Sequence, residues 1–273
     1  MHVYLINLDR APERLAFVQA QLDARGMTFE RISAVDASKI TLADVRETVR
    51  PEGAWMGRKD KQFVTAANGT PMVASPILGR YITVGEVACT LSHIKTITKF
   101  IESGTPYTCI FEDDVELSAD LATVVDAVAA KIDYGIVKLE GVAPYEHDIG
   151  RKIADVGDRS VRFRFKPATA SAGYFITRDA AVKFLATLHP IREPYDSWLR
   201  QYWRHGIPLY EVSPFPAKQA PAFLSAIYDR RDQPRVEYTS AARLMLAPIK
   251  FWYKTLRVIR RFAFFAVWGR KLI

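Results

Sequence analysis

"VYLINLDRAPERLAFVQAQLDARGMTFERISAV", Val3 to Val35, changes its hydrophobic period twice, and those changes decide the fold class. Val3 to Leu8 is a nearly continuous apolar run rich in branched residues, the pattern of a strand covered on both faces. Pro12 to Arg25 then places Leu15, Val18 and Leu22 at spacings of three and four, a helix with one buried stripe. Gly26 suits the close of that helix. Phe29 to Val35 returns to strand character, so the chain opens as β-α-β.

The same alternation continues outward. Helices are expected over Gly85–Ile101, Leu121–Ile132, Arg178–Leu188 and Tyr195–His205. Strands are expected at Tyr107–Phe111, Tyr134–Leu139, Val161–Phe165, Ala172–Thr177 and Pro208–Val212. Between Asp36 and Tyr81 glycines and prolines break the pattern, which predicts short helices and a long mobile loop. The whole reads as a layered α/β domain without repeats or low-complexity linkers.

Composition narrows the function. With 273 residues, 49% hydrophobic and 25% charged, the chain can bury one large core. Its two cysteines, Cys89 and Cys109, allow neither a disulfide-dense scaffold nor a four-cysteine metal site. No basic segment followed by an apolar export run opens the sequence, and no run of 18 apolar residues offers a membrane span, so a cytoplasmic location is expected. From Arg243 to Ile273 there are eight Lys or Arg and no acid; the remainder carries 30 basic and 30 acidic residues, so the net +8 belongs to the tail. A neutral body argues against nucleic-acid binding.

"CIFEDDVELS" (Cys109–Ser118) puts Glu112, Asp113 and Asp114 directly after an apolar strand. Strand ends line the ligand crevices of α/β folds. Glu112 and Asp114 can lie on one side of an extended chain and hold a hard divalent cation; a polar loop that starts the next helix is the alternative. The five histidines are scattered, with no zinc-binding spacing. Dinucleotide, P-loop and hydrolase-elbow fingerprints are absent.

"VYLINLDRAPERL", "VGEVACTLSHIKTI" (84–97), "YTCIFEDDVEL" (107–117) and "SAGYFITRDAAVKFL" (171–185), in this order, resemble glycosyltransferase family 25, the lipopolysaccharide and lipooligosaccharide galactosyltransferase-like family. The resemblance covers roughly residues 1 to 220. It implies a GT-A-like fold with a mostly parallel central sheet and a nucleotide-sugar donor, most often UDP-galactose. It also implies inverting transfer and an acidic motif that binds Mn2+ or Mg2+. Asp114 is the metal ligand it supports most directly, with Glu112 and Asp113 beside it.

Other candidates follow from position. Asn7, Asp9, Arg10 and Arg14 stand where a nucleotide can meet amides and guanidinium groups, although Asp9 can equally cap the helix. Asp36 is a candidate nucleoside contact or a turn residue. Ser92 and His93 are candidates on a helix near the acidic strand, with a structural role for His93 equally open. Lys138, in an apolar strand, must meet an anion or pair with a carboxylate. Inverting transfer needs a base for the acceptor hydroxyl, and Asp196 leads among aromatic neighbours, with Glu140 and Glu193 as alternatives.

The expected organisation is a transferase domain over residues 1–240 and a basic helical tail over 241–273. Pro248 is expected to open the tail helix. Lys250, Lys254, Arg257 and Arg261 form a basic stripe flanked by aromatics, suited to the anionic inner face of a membrane. Expected partners are a nucleotide sugar, an oligosaccharide or lipid-linked acceptor, that membrane surface, and a second copy of the chain if the tail packs on protein. A membrane-peripheral protein that binds glycan or nucleotide without turnover is the competing reading.

Overall fold

The computed structural model describes residues 2–66, 69–142, 149–221, 223 and 235–271, with side chains of the last helix described through Trp268. The chain runs β1 (His2–Asn7), α1 (Pro12–Asp23), β2 (Thr28–Ser33) and α2 (Leu42–Thr48). It continues through β3 (Phe63–Thr65), β4 (Pro71–Ser75), β5 (Arg80–Thr83), α3 (Val84–Ser103), β6 (Tyr107–Glu112) and β7 (Val115–Leu117). Next come α4 (Leu121–Ala129), β8 (Ile136–Lys138), β9 (Gly150–Val156), β10 (Arg159–Arg164), β11 (Gly173–Thr177) and α5 (Arg178–Leu185). The short helices α6 (Tyr195–Leu199) and α7 (Tyr202–His205), then β12 (Leu209–Ser213) and β13 (Ala217–Gln219), precede the long α8 (Ser240–Lys271).

The opening β-α-β unit forms as its periodicity requires. β1 lies parallel to β2 on one side and to β6 on the other. Gly26 takes φ 64°, and the Met27 N–H reaches back to the Leu22 carbonyl at 3.0 Å, which closes α1. The main sheet has the order β2-β1-β6-β11-β8-β12-β10-β9. β11 runs antiparallel between β6 and β8, and β12 returns parallel to β8. β10 is antiparallel to both β12 and β9, so four of the seven pairings in this sheet are antiparallel and three parallel. The sheet is mixed rather than mostly parallel as expected, within the expected GT-A-like α/β architecture.

The directions bring functional groups to one edge. The ends of β1, β2, β6 and β8 and the start of β11 all meet there. Gly173 lets β11 pass closely: an added Cβ would lie 2.8 Å from the Phe111 ring and 3.2 Å from the Glu140 Cβ. The core beneath is built from Val3, Leu5, Ile110, Phe111, Val137 and Phe175, all buried on the sheet.

Between Asp36 and Tyr81 the expected short helices form, α2 among them, but strands stand in place of the expected long loop. β3, β4 and β5 form an antiparallel meander. Val73 and Ile82 pack with Val45, Val49, Val87 and Ile191 in a small second core. Strands of three to five residues broken by Gly and Pro leave too little periodicity to be read. The expected helix over Tyr195–His205 is two short helices, and β9 answers to no expected strand.

The tail also differs. α8 begins at Ser240, so Pro248 sits inside it rather than at its start. Its C-terminal half is fastened to the body. Phe265 stacks on Phe163 with centroids 4.9 Å apart, and the Trp268 indole N–H donates to the Tyr210 hydroxyl at 3.0 Å. Arg261 lies 4.2 Å over the Trp203 ring, and Lys250 donates to the Tyr238 hydroxyl at 3.2 Å. Two members of the basic stripe therefore turn onto body aromatics. Leu244, Phe251, Trp252, Val258, Ile259 and Phe262 remain exposed.

Candidate active site

The edge where the parallel strands end holds a cleft with two lobes. The first lies between the start of α1, the segment after β2 and α3, and is lined by Arg10, Arg14, Val35, Ser92 and His93. The second is lined by Glu140, Thr169–Ala172, Tyr195, Asp196, Arg200 and Gln219. Cys89, Glu112 and Asp114 line both lobes.

α3 carries one wall. Thr83 and Glu86 cap it reciprocally, the Thr83 N–H donating to Glu86 at 3.0 Å and the Glu86 N–H to the Thr83 hydroxyl at 3.2 Å. Arg80 grips the same carboxylate through bonds of 2.9 and 2.8 Å. Cys89 and His93, four residues apart, share a helical face toward the cleft. Ser92 ties the wall to the neighbouring segment: its hydroxyl accepts from the Val35 N–H at 2.9 Å and donates to the Ala88 carbonyl at 2.7 Å.

His93 is buried and fully bonded. Its Nδ1 is 3.0 Å from the Tyr174 hydroxyl and its Nε2 is 3.2 Å from Glu112 Oε1. Tyr195 donates its own hydroxyl to that of Tyr174 at 2.7 Å. Tyr174 is then free to donate to Nδ1, which leaves the proton on Nε2 to donate to Glu112. A chain of three side chains, Tyr195, Tyr174 and His93, thus fixes one oxygen of Glu112.

The three acids have different occupations. Asp113 accepts from Asn7 Nδ2 at 2.7 Å and lies 3.5 Å from Arg14. Burial raises its pKa, and those two partners oppose the rise. Asp114 accepts from Gln219 at 3.1 Å through Oδ2, while its buried Oδ1 has no hydrogen-bond partner among the described residues. Burial, and next the charge of Glu112, push its pKa up to about 6. A buried carboxylate oxygen without a donor is costly unless a cation sits against it. Glu112 and Asp114 therefore fit a hard divalent cation, whereas Asp113 is held by protein.

Cys89, His93 and Glu112 also bring one ligand atom each within 4.8 Å of one another, a potential metal-coordinating cluster. Both His93 nitrogens are already engaged, however. The Cys89 thiol is pushed well up by burial and the surrounding carboxylates, so it stays protonated. The oxygen donors are the better fit for a cation.

The other expected site residues divide. Asn7 is buried and spends its side chain on Asp113, the Ala11 carbonyl and Arg31, so it braces the site and does not face a ligand. Asp9 binds Arg31 and Ser33 on the exposed side. One guanidinium nitrogen of Arg10, Nη1, lies 2.6 Å from both carboxylate oxygens of Asp36, and Asp36 also accepts from the Ser38 N–H at 2.9 Å, as a turn residue does. Lys138 is 0% exposed and donates to the carbonyls of Ala168, Thr169 and Ala170 at 2.7, 2.7 and 2.6 Å; it does not reach the cleft.

Of the proposed bases, Asp196 and Glu140 share the second lobe. Glu140 accepts from the Ala172 N–H at 3.1 Å, and burial lifts its pKa to about 7 against the pull of Lys138. Glu193 lies elsewhere: it accepts from Gln201 at 2.7 Å and faces Arg204 in the groove under α8. Cys89, Tyr174, Arg200 and Gln219 escape a sequence reading, although the four-residue spacing of Cys89 and His93 is a signal for the first.

Comparison with known proteins identifies the family. The family model described as glycosyltransferase family 25 (LPS biosynthesis protein) matches residues 1–199. A glycosyltransferase 25 family member of Drosophila pseudoobscura pseudoobscura is 25% identical over 255 residues, 92% of this chain but 35% of the insect protein. The lacto-N-neotetraose biosynthesis glycosyltransferase LgtE of Neisseria gonorrhoeae is 26% identical over 226 residues, covering 78% of this chain and 72% of that protein. The lipooligosaccharide biosynthesis protein lic2B of Haemophilus influenzae is 26% identical over 193 residues, covering 68% and 63%. With the family model matched over most of its length, the chain belongs to glycosyltransferase family 25.

Proposed function

We propose that the chain is a metal-dependent inverting glycosyltransferase that moves galactose from UDP-galactose onto a saccharide of the lipooligosaccharide type. The carrying observation is that Glu112 and Asp114 belong to both lobes of one cleft. The first lobe takes the nucleotide sugar; Arg10, paired with Asp36, and Arg14, beside Asp113, line the wall that its phosphates would meet. The second takes the acceptor. Glu112 and Asp114 would hold Mn2+ or Mg2+, which when bound supplies positive charge against that of the departing diphosphate.

The protein's own part is to orient and deprotonate the acceptor. A single in-line displacement needs one base and no enzyme nucleophile. Glu140, with its pKa near 7, and Asp196, at the start of α6, are the two carboxylates placed for that work. The biosynthetic names of the Neisseria and Haemophilus relatives support the acceptor class.

Residues 1–240 form the transferase unit in this reading, and 241–273 hold it at a lipid surface. No helix among the described residues is long and apolar enough to cross a membrane. α8 instead presents an apolar outer face with Arg243, Lys254, Arg257 and Arg260 exposed around it, suited to the inner face of the cytoplasmic membrane. The test is a donor screen with Mn2+ and bacterial oligosaccharide acceptors, reading nucleoside diphosphate release. UDP release with UDP-galactose is expected; silence with every donor would favour a binding protein without turnover.

A further inference from the structure

Lys138 is the largest fully buried charged side chain among the described residues, and it lies beneath the cleft without lining it. We propose that Lys138 is a positioning residue for the acceptor lobe, gathering three successive carbonyls so that the loop 168–171 becomes a rigid wall of that lobe. This rests on the reading of the second lobe as the acceptor site.

An ammonium has three N–H donors, and here each meets one carbonyl, of Ala168, Thr169 and Ala170. No donor is left for a ligand. To turn three consecutive carbonyls toward one point the loop bends sharply, and Ala170 adopts φ 66°, a left-handed conformation unfavourable for a residue with a Cβ. The ammonium–carbonyl bonds hold it there. Glu211 braces the other side, accepting from the Ala168 N–H and lying 3.0 Å from Arg164.

The loop delivers two things to the lobe. Thr169, Ala170 and Ser171 line it directly, in the same cavity as Asp196. The next residue, Ala172, donates its N–H to Glu140 at 3.1 Å, so the loop also sets the direction of a candidate base. None of these residues lines the first lobe. Loosening the loop should therefore damage acceptor use and spare donor use.

Two variants and two assays test this. The assays are binding of UDP in the presence of Mn2+ by calorimetry, which reads the donor half, and transfer of galactose from UDP-galactose to the best soluble acceptor from a panel of para-nitrophenyl glycosides. Lys138→Met removes the ammonium; Ala170→Val keeps it but places a β-branched residue at a left-handed position in a half-buried loop. Ala170→Val should raise the acceptor KM by about tenfold or more while UDP affinity stays within about twofold and the melting temperature stays near that of the wild type. Lys138→Met should show the same split, more strongly. A parallel fall in both assays, or a wild-type acceptor KM in well-folded Ala170→Val, overturns the inference. A wild type that binds UDP but transfers galactose to no acceptor removes the acceptor-lobe reading itself, and the inference with it.

Discussion

His93 holds Glu112 by its Nε2 atom at 3.2 Å while its ring lies flat on Tyr195, with centroids 3.8 Å apart and planes within 1°. The residue after Tyr195 is Asp196, so one stacked ring connects the acidic motif to the helix that carries a candidate base. The link is made of aromatic rings and hydroxyls that are buried and stiff, which gives Glu112 a fixed orientation before any ligand arrives.

His93→Phe keeps the stack but removes the bond to Glu112. Expected is a loss of turnover and of apparent Mn2+ affinity of roughly 10- to 100-fold, the usual cost of losing a partner that orients a ligand carboxylate. Titrating activity against Mn2+ measures it. An unchanged metal dependence would show that Glu112 needs no such support.

The neighbouring acids should separate. Asp114→Asn removes the charge from the oxygen that lacks a protein partner and should abolish metal-dependent transfer with little loss of stability. Asp113→Asn disturbs the bonds to Asn7 and Arg14, and should cost stability of about 1–3 kcal/mol with turnover partly kept. Thermal melts beside Mn2+-dependent rates distinguish the two; the reverse pattern would exchange their roles.

Asp114 titrates at about 6 in the fold against 3.8 in an open chain, because burial and then Glu112 disfavour its charge. The folded state therefore binds the extra proton between those values. Asp114's stabilising contribution is present at acid pH and lost as pH rises through about 6. A cation reverses this by binding the ionised form. Mn2+ should accordingly raise the melting temperature more at pH 7.5 than at pH 5, and metal-dependent turnover should fall below about pH 6. Equal metal stabilisation at both pH values would sever Asp114 from the ion.

Much of this arrangement is legible in the residues. Hydrophobic period alone gives β1, α1 and β2, and an acidic string after an apolar strand locates the cleft edge. What escapes is long-range or short. Lys138 reads as a charge seeking an anion, yet it is satisfied by carbonyls some thirty residues on, which no local pattern reports. Asn7 sits at a strand end like a ligand contact, but its partner Asp113 is 106 positions away. Glu193 and Asp196 are three residues apart, and the turn at Pro194 sends them to different cavities.

The choice of base follows from that separation. Glu193→Gln should leave catalysis near wild type, because Glu193 lies in the groove with Gln201 and Arg204. Glu140→Gln and Asp196→Asn keep size and remove basicity, and one of them should lower turnover by roughly 10²-fold or more with donor affinity unchanged. Glu140 has the pKa suited to the work, so its variant should also lose the acid limb near pH 7. If neither substitution slows transfer, the base is elsewhere.

The tail makes the last prediction, and the packing of α8 determines its form. Deleting residues 248–273 removes Phe264, Phe265 and Trp268 from Phe163, Tyr202 and Tyr210, uncovering body aromatics that are buried. Truncation should therefore destabilise the whole chain, and it is a poor test of membrane binding. Substitution of the outer face is the clean one. Phe251, Ile259 and Phe262 are 69%, 55% and 65% exposed and lie outside the groove between α8 and the body, so changing all three to Ser leaves the body contacts alone. Each fully buried side chain of this kind contributes about 1.5–3 kcal/mol at an apolar interface. The triple variant should melt like the wild type yet lose most of its co-sedimentation with anionic vesicles, and the loss should persist at high salt. Changing Lys254, Arg257 and Arg260 to Gln should weaken binding chiefly at low salt, since that part is screened. Wild-type vesicle binding by the triple Ser variant would remove the lipid surface as the partner of this face. A dimer in the wild type that the same variant splits would name a second copy of the chain in its place.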